Sequence, residues 1–257
     1  MLLLITIAVG VLTYTLHHQI SVFFRKPEVV TSNSTVPSRQ APSSPTQILG
    51  IHHNQPSITP SSPADPAKLN NVLVLLSGSS EYNRVNEIKT LKKKIPTGLT
   101  AKDASLLLSG SGAYRENALR LIDSKIEKGV GGTGISKILG GLSENDRSQG
   151  IKDLENSGVI KTELSASEAT AIINGSGAYR ENSLSLISGN IKKGLGGKDI
   201  ANILGSLSES DRCQGIKDLE RSGVIKKGLN ADEAQMIIKG TGAYQACAVK
   251  VINGNIE

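Results

Sequence analysis

Two kinds of residue in this chain are placed where they could do chemistry, and both follow one short motif. The segment GSGAYREN stands at 110–117 and again, unchanged, at 175–182, and a degenerate copy, GTGAYQAC, follows at 240–247. The tyrosines of this part of the chain, Tyr82, Tyr114, Tyr179 and Tyr244, are read as one repeat position directly after a Gly/Ser turn. Such a row could stack on bases or anchor a partner peptide, or each ring could plug a gap between units with its hydroxyl bonded locally. The next position reads Arg115, Arg147, Arg180 and Arg212 in four successive units, with Asn83 and Gln245 taken as its end-unit counterparts. The helix macrodipole favours an acid at a first turn, so these arginines need another partner. They could pair with acids such as Glu116, Asp146, Glu181 or Asp211. Alternatively, they could hold an anion together with the free N–H groups of the turn, which suit phosphate.

Catalytic chemistry has little to work with. The four histidines, His17, His18, His52 and His53, all precede the repeated part, so no His is available there as a base or metal ligand. Cys213 and Cys247 therefore lack an imidazole partner. No GxxxxGK[ST] loop occurs, and GVGGTG at 129–134 follows no predicted strand, which excludes a dinucleotide reading. No enzyme, cofactor, metal or small-molecule substrate is expected.

The elements that must position these residues are set by the repeat. Both copies of the motif recur at a spacing of 65 residues, and each period divides into related halves of about 32 and 33 residues. Each half reads as a short helix, a Gly/Ser turn, a second helix and a Lys/Gly-rich exit. About six such units begin near Lys68, Leu99, Val130, Leu164, Leu195 and Leu229. Thr100-x-x-Asp103, Ser165-x-x-Glu168 and Asn230-x-x-Glu233 are capping boxes that open helices. Ser143-x-x-Asp146 and Ser208-x-x-Asp211 give the same signal for second helices, and Ser157-Gly158 and Ser222-Gly223 mark helix ends. Leu184, Ile187 and Ile191 fall on one helical face, as do Ile200, Ile203, Leu204 and Leu207. The expected fold is all-α, an α-solenoid of about six two-helix repeats over 68–257.

Composition divides the remainder. Residues 1–24 are hydrophobic enough to span a bilayer, and Arg25-Lys26 beyond them favour a cytosolic repeat domain in a single-pass membrane protein. A cleaved signal peptide is the competing reading of that segment. Residues 25–67 are rich in Ser, Pro and Thr and are expected to form a disordered linker, which contains a sequon at Asn33-Ser34-Thr35. The formal net charge is +6. The two cysteines sit at different positions within their units, so they are expected to be unpaired, as in a reducing compartment.

Two-helix units of about 33 residues, a Gly-containing turn and a basic residue just after it resemble the DNA-reading repeats of transcription-activator-like effectors. The resemblance implies that Ser111-Gly112 and Ser176-Gly177 face bases and that Arg115 and Arg180 touch phosphate. The chain departs from that family in lacking its early Pro and its Gly-Gly-Lys-Gln run, and in placing Glu after Arg115 and Arg180.

The leading expectation is a membrane-anchored helical scaffold that binds a protein partner, in the style of a bacterial effector secreted into a host cell and acting at a host membrane. Nucleic-acid binding through the turns and the Arg row is the first alternative. A structural oligomerising array is the second.

Overall fold

A computed structural model describes residues 66–257; the expectations for 1–24 and for all but the last two residues of the linker lie outside them. The described part is all-helical, with twelve α-helices and no extended strand among the described residues. The helices are α1 (Pro66–Ser77), α2 (Glu81–Leu91), α3 (Ala101–Gly110), α4 (Arg115–Ile122), α5 (Gly132–Gly140), α6 (Arg147–Asn156), α7 (Ala166–Gly175), α8 (Arg180–Ile187), α9 (Gly197–Gly205), α10 (Arg212–Arg221), α11 (Ala231–Gly240) and α12 (Gln245–Ile252). Helix α1 starts at Pro66, inside the expected linker, because Pro fits the first helical position, where its missing N–H costs nothing.

Odd-numbered helices are the first members of pairs and even-numbered helices the second. Each first helix packs on the next first helix, and each second helix on the next second helix. The core runs between the two rows. Leu107, Leu108, Ile135, Ile138, Ile172, Ile173, Ile200 and Ile203 are wholly buried on the first helices. Leu119, Ile151, Leu184 and Ile216 are wholly buried on the second.

Each pair after the first is closed at its base by an isolated parallel bridge: Leu99 with Ile126, Val130 with Ile160, Leu164 with Ile191, Leu195 with Ile225, and Leu229 with Ile256. The first partner of every bridge is the residue at which the sequence places the start of a unit. Periodicity locates these residues because each must bury an apolar side chain while its backbone groups pair across the unit.

Three capping boxes form as expected, at Thr100/Asp103, Ser165/Glu168 and Asn230/Glu233. The second-helix signals behave differently. Ser143 and Ser208 accept no helix N–H; each hydroxyl donates to the Asp three residues on, and a single 3-10 turn precedes the α-helix. Gly158 and Gly223 take the left-handed conformation that ends a helix.

Alternation of the halves comes from close packing. A Cβ on Gly132 or Gly197 would overlap the backbone of Glu168 or Glu233, so the Gly-Gly starts of α5 and α9 let α7 and α11 approach at backbone distance. Glu168 and Glu233 close these junctions by pairing with Lys161 at 3.0 Å and Lys226 at 2.8 Å. Burial tends to raise the Glu168 carboxyl, but its bonds to Ser165 and Lys161 outweigh this and hold it below the ordinary value. For Glu233 the Lys226 bond leads, and the carboxyl is likewise lowered.

A carboxyl with a lowered folded-state pKa stabilises the fold above its ordinary pKa, and that contribution disappears as pH falls through the lowered value. Stability is therefore expected to drop on acidification below about pH 4.5, and the slope to be shallower in a Glu168→Gln/Glu233→Gln variant. Urea midpoints measured across that range check this; parallel curves for both chains would contradict it.

The exit turn needs positive φ, supplied by Gly98 (75°), Gly129 (71°), Gly194 (72°) and Gly228 (69°). At the exit of the third pair Glu163 holds φ 57° at the same place, the one non-glycine residue with positive φ among the described residues. Glu163→Gly is expected to stabilise the chain by about 1 kcal/mol by relieving the Cβ clash. An unchanged or lower denaturation midpoint would argue against strain there.

Candidate interaction edge at the inter-helix turns

The motif GSGAYREN builds one edge of the array. In GSG and GTG the second glycine takes positive φ, at Gly112, Gly177 and Gly242. A 3-10 turn ending at the Tyr then leads into α4, α8 or α12. The turn does present a backbone donor, as expected for an anion site, but the chain fills it with its own carboxylate. Ala178 N–H donates to Glu144 Oε1 at 2.6 Å, Ala243 N–H to Glu209 Oε1 at 2.8 Å, and Ala113 N–H to Glu81 Oε1. Each carboxylate comes from the preceding pair and lies where a Cβ on the positive-φ glycine would sit. Three functional residues thus escape the sequence reading: Glu81, Glu144 and Glu209.

They expose a shift in how the first pair aligns. Ser80-Glu81-x-x-Arg84 matches Ser143-Glu144-x-x-Arg147 and Ser208-Glu209-x-x-Arg212, so Arg84, not Asn83, belongs to the arginine row. That match is visible in the sequence once the first pair is aligned with the third and fifth. Tyr82 then corresponds to Asn145 and Ser210, and leaves the row formed by Tyr114, Tyr179 and Tyr244.

The arginines are held by backbone. Arg115 donates from Nε to Gly112 O at 2.9 Å and from Nη1 to Gly141 O at 3.5 Å. Arg180 repeats this with Gly177 O at 3.2 Å and Ser206 O at 3.1 Å, and Arg84 reaches Gly110 O at 3.2 Å. Each of the three therefore binds a carbonyl at the C-terminal end of the next pair's first helix, where a cation is favoured. Arg147 and Arg212 lie against the following turn: a Cβ on Gly177 would come within 3.0 Å of Arg147 Nη1, and one on Gly242 within 3.1 Å of Arg212 Nη1. Their Nε atoms are buried without a partner. None of the four expected arginines forms an ion pair with Glu116, Asp146, Glu181 or Asp211; Glu116 pairs with Arg120 instead.

The tyrosines remain at the surface. Tyr114 and Tyr244 are 39% and 40% exposed beside a tied backbone. Tyr179 donates its hydroxyl to Asn145 Oδ1 at 2.9 Å, and Tyr114 meets Tyr82 edge to face with ring centroids 6.3 Å apart. Tyr114 and Tyr179 thus each stand next to the residue that follows the plugging Glu in the preceding pair.

The cysteine expectation is corrected. Cys213 on α10 and Cys247 on α12 form a disulfide, with Cα atoms 5.9 Å apart. Residues 34 apart face each other across adjacent pairs, as Asn145 and Tyr179 also do in the turns before the second helices, so partners need not share a repeat position. Bonds of this kind persist in oxidising surroundings.

The chain matches no known protein family, no curated protein and no solved structure.

Because Arg115 and Arg180 bridge carbonyls of two pairs, Arg115→Ala and Arg180→Ala are each expected to cost about 1 kcal/mol of stability, at the low end for a charged hydrogen bond because both side chains are half-exposed. Denaturant titration checks this. A variant as stable as the parent would mean that the guanidinium groups are free for a ligand.

Proposed function

We propose that the six helix pairs stack as an α-solenoid, tethered to a membrane by residues 1–24 through the linker 25–67, and that this non-catalytic scaffold binds a protein partner along its tyrosine edge. The observation that carries the reading is the pair of exposed rings of Tyr114 and Tyr244, with the partly buried Tyr179 between them in the repeat, on turns whose backbone donors are already filled by carboxylates of the chain. Tyrosine supplies large contact area at small entropic cost, and a rigid turn adds little more. No helix of the described residues is long and apolar enough to cross a membrane, so the tether rests on 1–24 alone.

Internal occupancy of the turns and of Arg84, Arg115 and Arg180 weighs against the nucleic-acid reading on this edge. The Cys213–Cys247 bond supports an oxidising location for the array, against the cytosolic side that Arg25-Lys26 favour.

Photo-crosslinking in native membranes tests the partner surface. A photoreactive phenylalanine at Tyr114 or Tyr179 of the full chain is expected to trap a discrete protein species that the same group at Lys102, on a first helix, does not trap. Equal yields at all three sites would remove the tyrosine edge from consideration, and trapping only of a second copy would favour the oligomerising array. In the same membranes, Cys213 and Cys247 are expected to take up a maleimide only after reduction.

A further inference from the structure

The opposite edge of the array carries an unassigned feature. The exit segments 92–98, 125–129, 160–163, 190–194 and 225–228 hold ten of the nineteen lysines in residues 66–257, against two acids, Glu127 and Glu163. Residues 66–257 have a net charge of +5, and these segments alone contribute +8, so the remainder of the array is net negative at −3. The whole positive excess lies on the exits.

The fold puts the exits side by side. Every one of them lies at a pair junction, and four of the five follow or contain a partner of a parallel bridge. The second and third exits approach each other, since a Cβ on Gly129 would lie 4.0 Å from the Cβ of Lys161; Lys128 also reaches Ser157 O, at the helix end before the third exit, and Lys227 reaches Asn255 Oδ1 of the last pair and pairs with Glu220 at 3.7 Å.

Part of this charge has a structural use. Lys128 and Lys193 bind helix-end carbonyls, while Lys161 and Lys226 pair with Glu168 and Glu233. Lys92, Lys93, Lys94, Lys125 and Lys192 make no side-chain hydrogen bond or ion pair, and Lys93, Lys94 and Lys192 are exposed. Helix-end stabilisation does not account for these five.

We propose that this lysine edge lies on an anionic phospholipid surface and holds the solenoid flat against it. The chemistry selects the occupant. The exit segments carry lysine without arginine or aromatic residues: every tyrosine and arginine of the repeat motif stands at the turn edge, and Arg221, at the exit end of α10, is paired with Asp218 at 3.4 Å. Single-stranded nucleic acid is held by aromatic platforms, and bidentate recognition of one phosphate uses the arginine fork; a row of hydrated point charges offers neither. It suits diffuse attraction to a fluid sheet of headgroups, which can adjust to the spacing of the pairs. The choice of a lipid sheet over another polyanion rests on the membrane part of the function proposed above; the partner part is not required.

Lysine acetylation footprinting of the full chain tests the edge. The chain is mixed at low salt with vesicles of phosphatidylcholine, alone or with phosphatidylglycerol, and labelling at each lysine is read by mass spectrometry. Lys92, Lys93, Lys94, Lys125 and Lys192 are expected to label several-fold more slowly on the anionic vesicles than on the neutral ones. Lys137 and Lys239, exposed in the last turns of first helices, and Lys152, exposed in the middle of a second helix, are expected to label equally on both. Lys92→Gln/Lys93→Gln/Lys94→Gln should lower the anionic-to-neutral partition ratio roughly tenfold or more, and added salt should abolish the difference. Equal labelling on the two vesicles, or protection spread over all eight lysines, overturns the proposal. Stronger protection by duplex DNA at equal charge concentration also overturns it, in favour of a nucleic-acid edge. Failure of the chain to associate with neutral vesicles would count against the tether at 1–24 and leave the edge intact.

Discussion

The backbone clip at the base of each helix pair is the constraint on which the rest depends. Leu99 N–H donates to Lys125 O at 2.9 Å and Leu99 O accepts from Glu127 N–H at 3.0 Å. The same two bonds recur at Val130, Leu164, Leu195 and Leu229. A pair of helices of eight to ten residues is too short to be stable alone, and the clip supplies its closure with buried donors and acceptors matched. It also divides the surface. With entry and exit fixed at one end, the turn between helices must emerge at the other, so lysines and tyrosines are sorted to opposite edges.

Stacking then proceeds by two kinds of junction. Where the third pair meets the fourth, and the fifth the sixth, glycine pairs bring backbones together and a Lys–Glu bond closes the seam. Within the same junction, on the second-helix side, the carboxylate of Glu144 enters the following turn. In the reverse junction, arginine reaches forward instead, from Arg115 to Gly141 O and from Arg180 to Ser206 O. Both solutions give partners to helix-end groups that have none within their own helix. The 65-residue period, twice the length of one unit, is the sequence trace of this alternation.

Much of the fold is legible from local signals. Capping boxes at Thr100, Ser165 and Asn230, left-handed glycines at Gly158 and Gly223, and unit starts at the five bridge residues follow from short-range chemistry that the sequence carries directly. The site was harder to read because its contacts join residues more than thirty positions apart. Nothing local to Glu144 says that its carboxylate occupies the turn at Gly177, and nothing local to Cys213 says that Cys247 faces it. Distance along the chain also hid the alignment of the first pair. Its loop lacks the Gly-Gly-Leu of the third pair, and Tyr82 stands where the other pairs have Asn145 and Ser210, which mimics a turn tyrosine.

These contacts change what the duplicated motif means. The identity of 110–117 and 175–182 suggests a surface held constant for a ligand, since packing alone should let exposed residues drift. In the folded chain the motif is an interface. Gly112 and Gly177 need positive φ and room for a carboxylate, Ala113 and Ala178 donate to it, and Arg115 and Arg180 tie the turn to the next pair. Substitution at any of these would disturb two pairs at once, so packing accounts for their constancy without a ligand. The tyrosine is the exception, because Tyr114 and Tyr244 stay 39% and 40% exposed, although the Tyr114 ring also meets Tyr82 of the first pair. By contrast, the outward positions of the first helices have diverged between copies, as at Lys102 and Ser167 or Leu106 and Ala171. Constancy in this protein therefore follows inter-pair contact, and the residues whose retention still calls for a partner narrow from the whole motif to one aromatic side chain in each period.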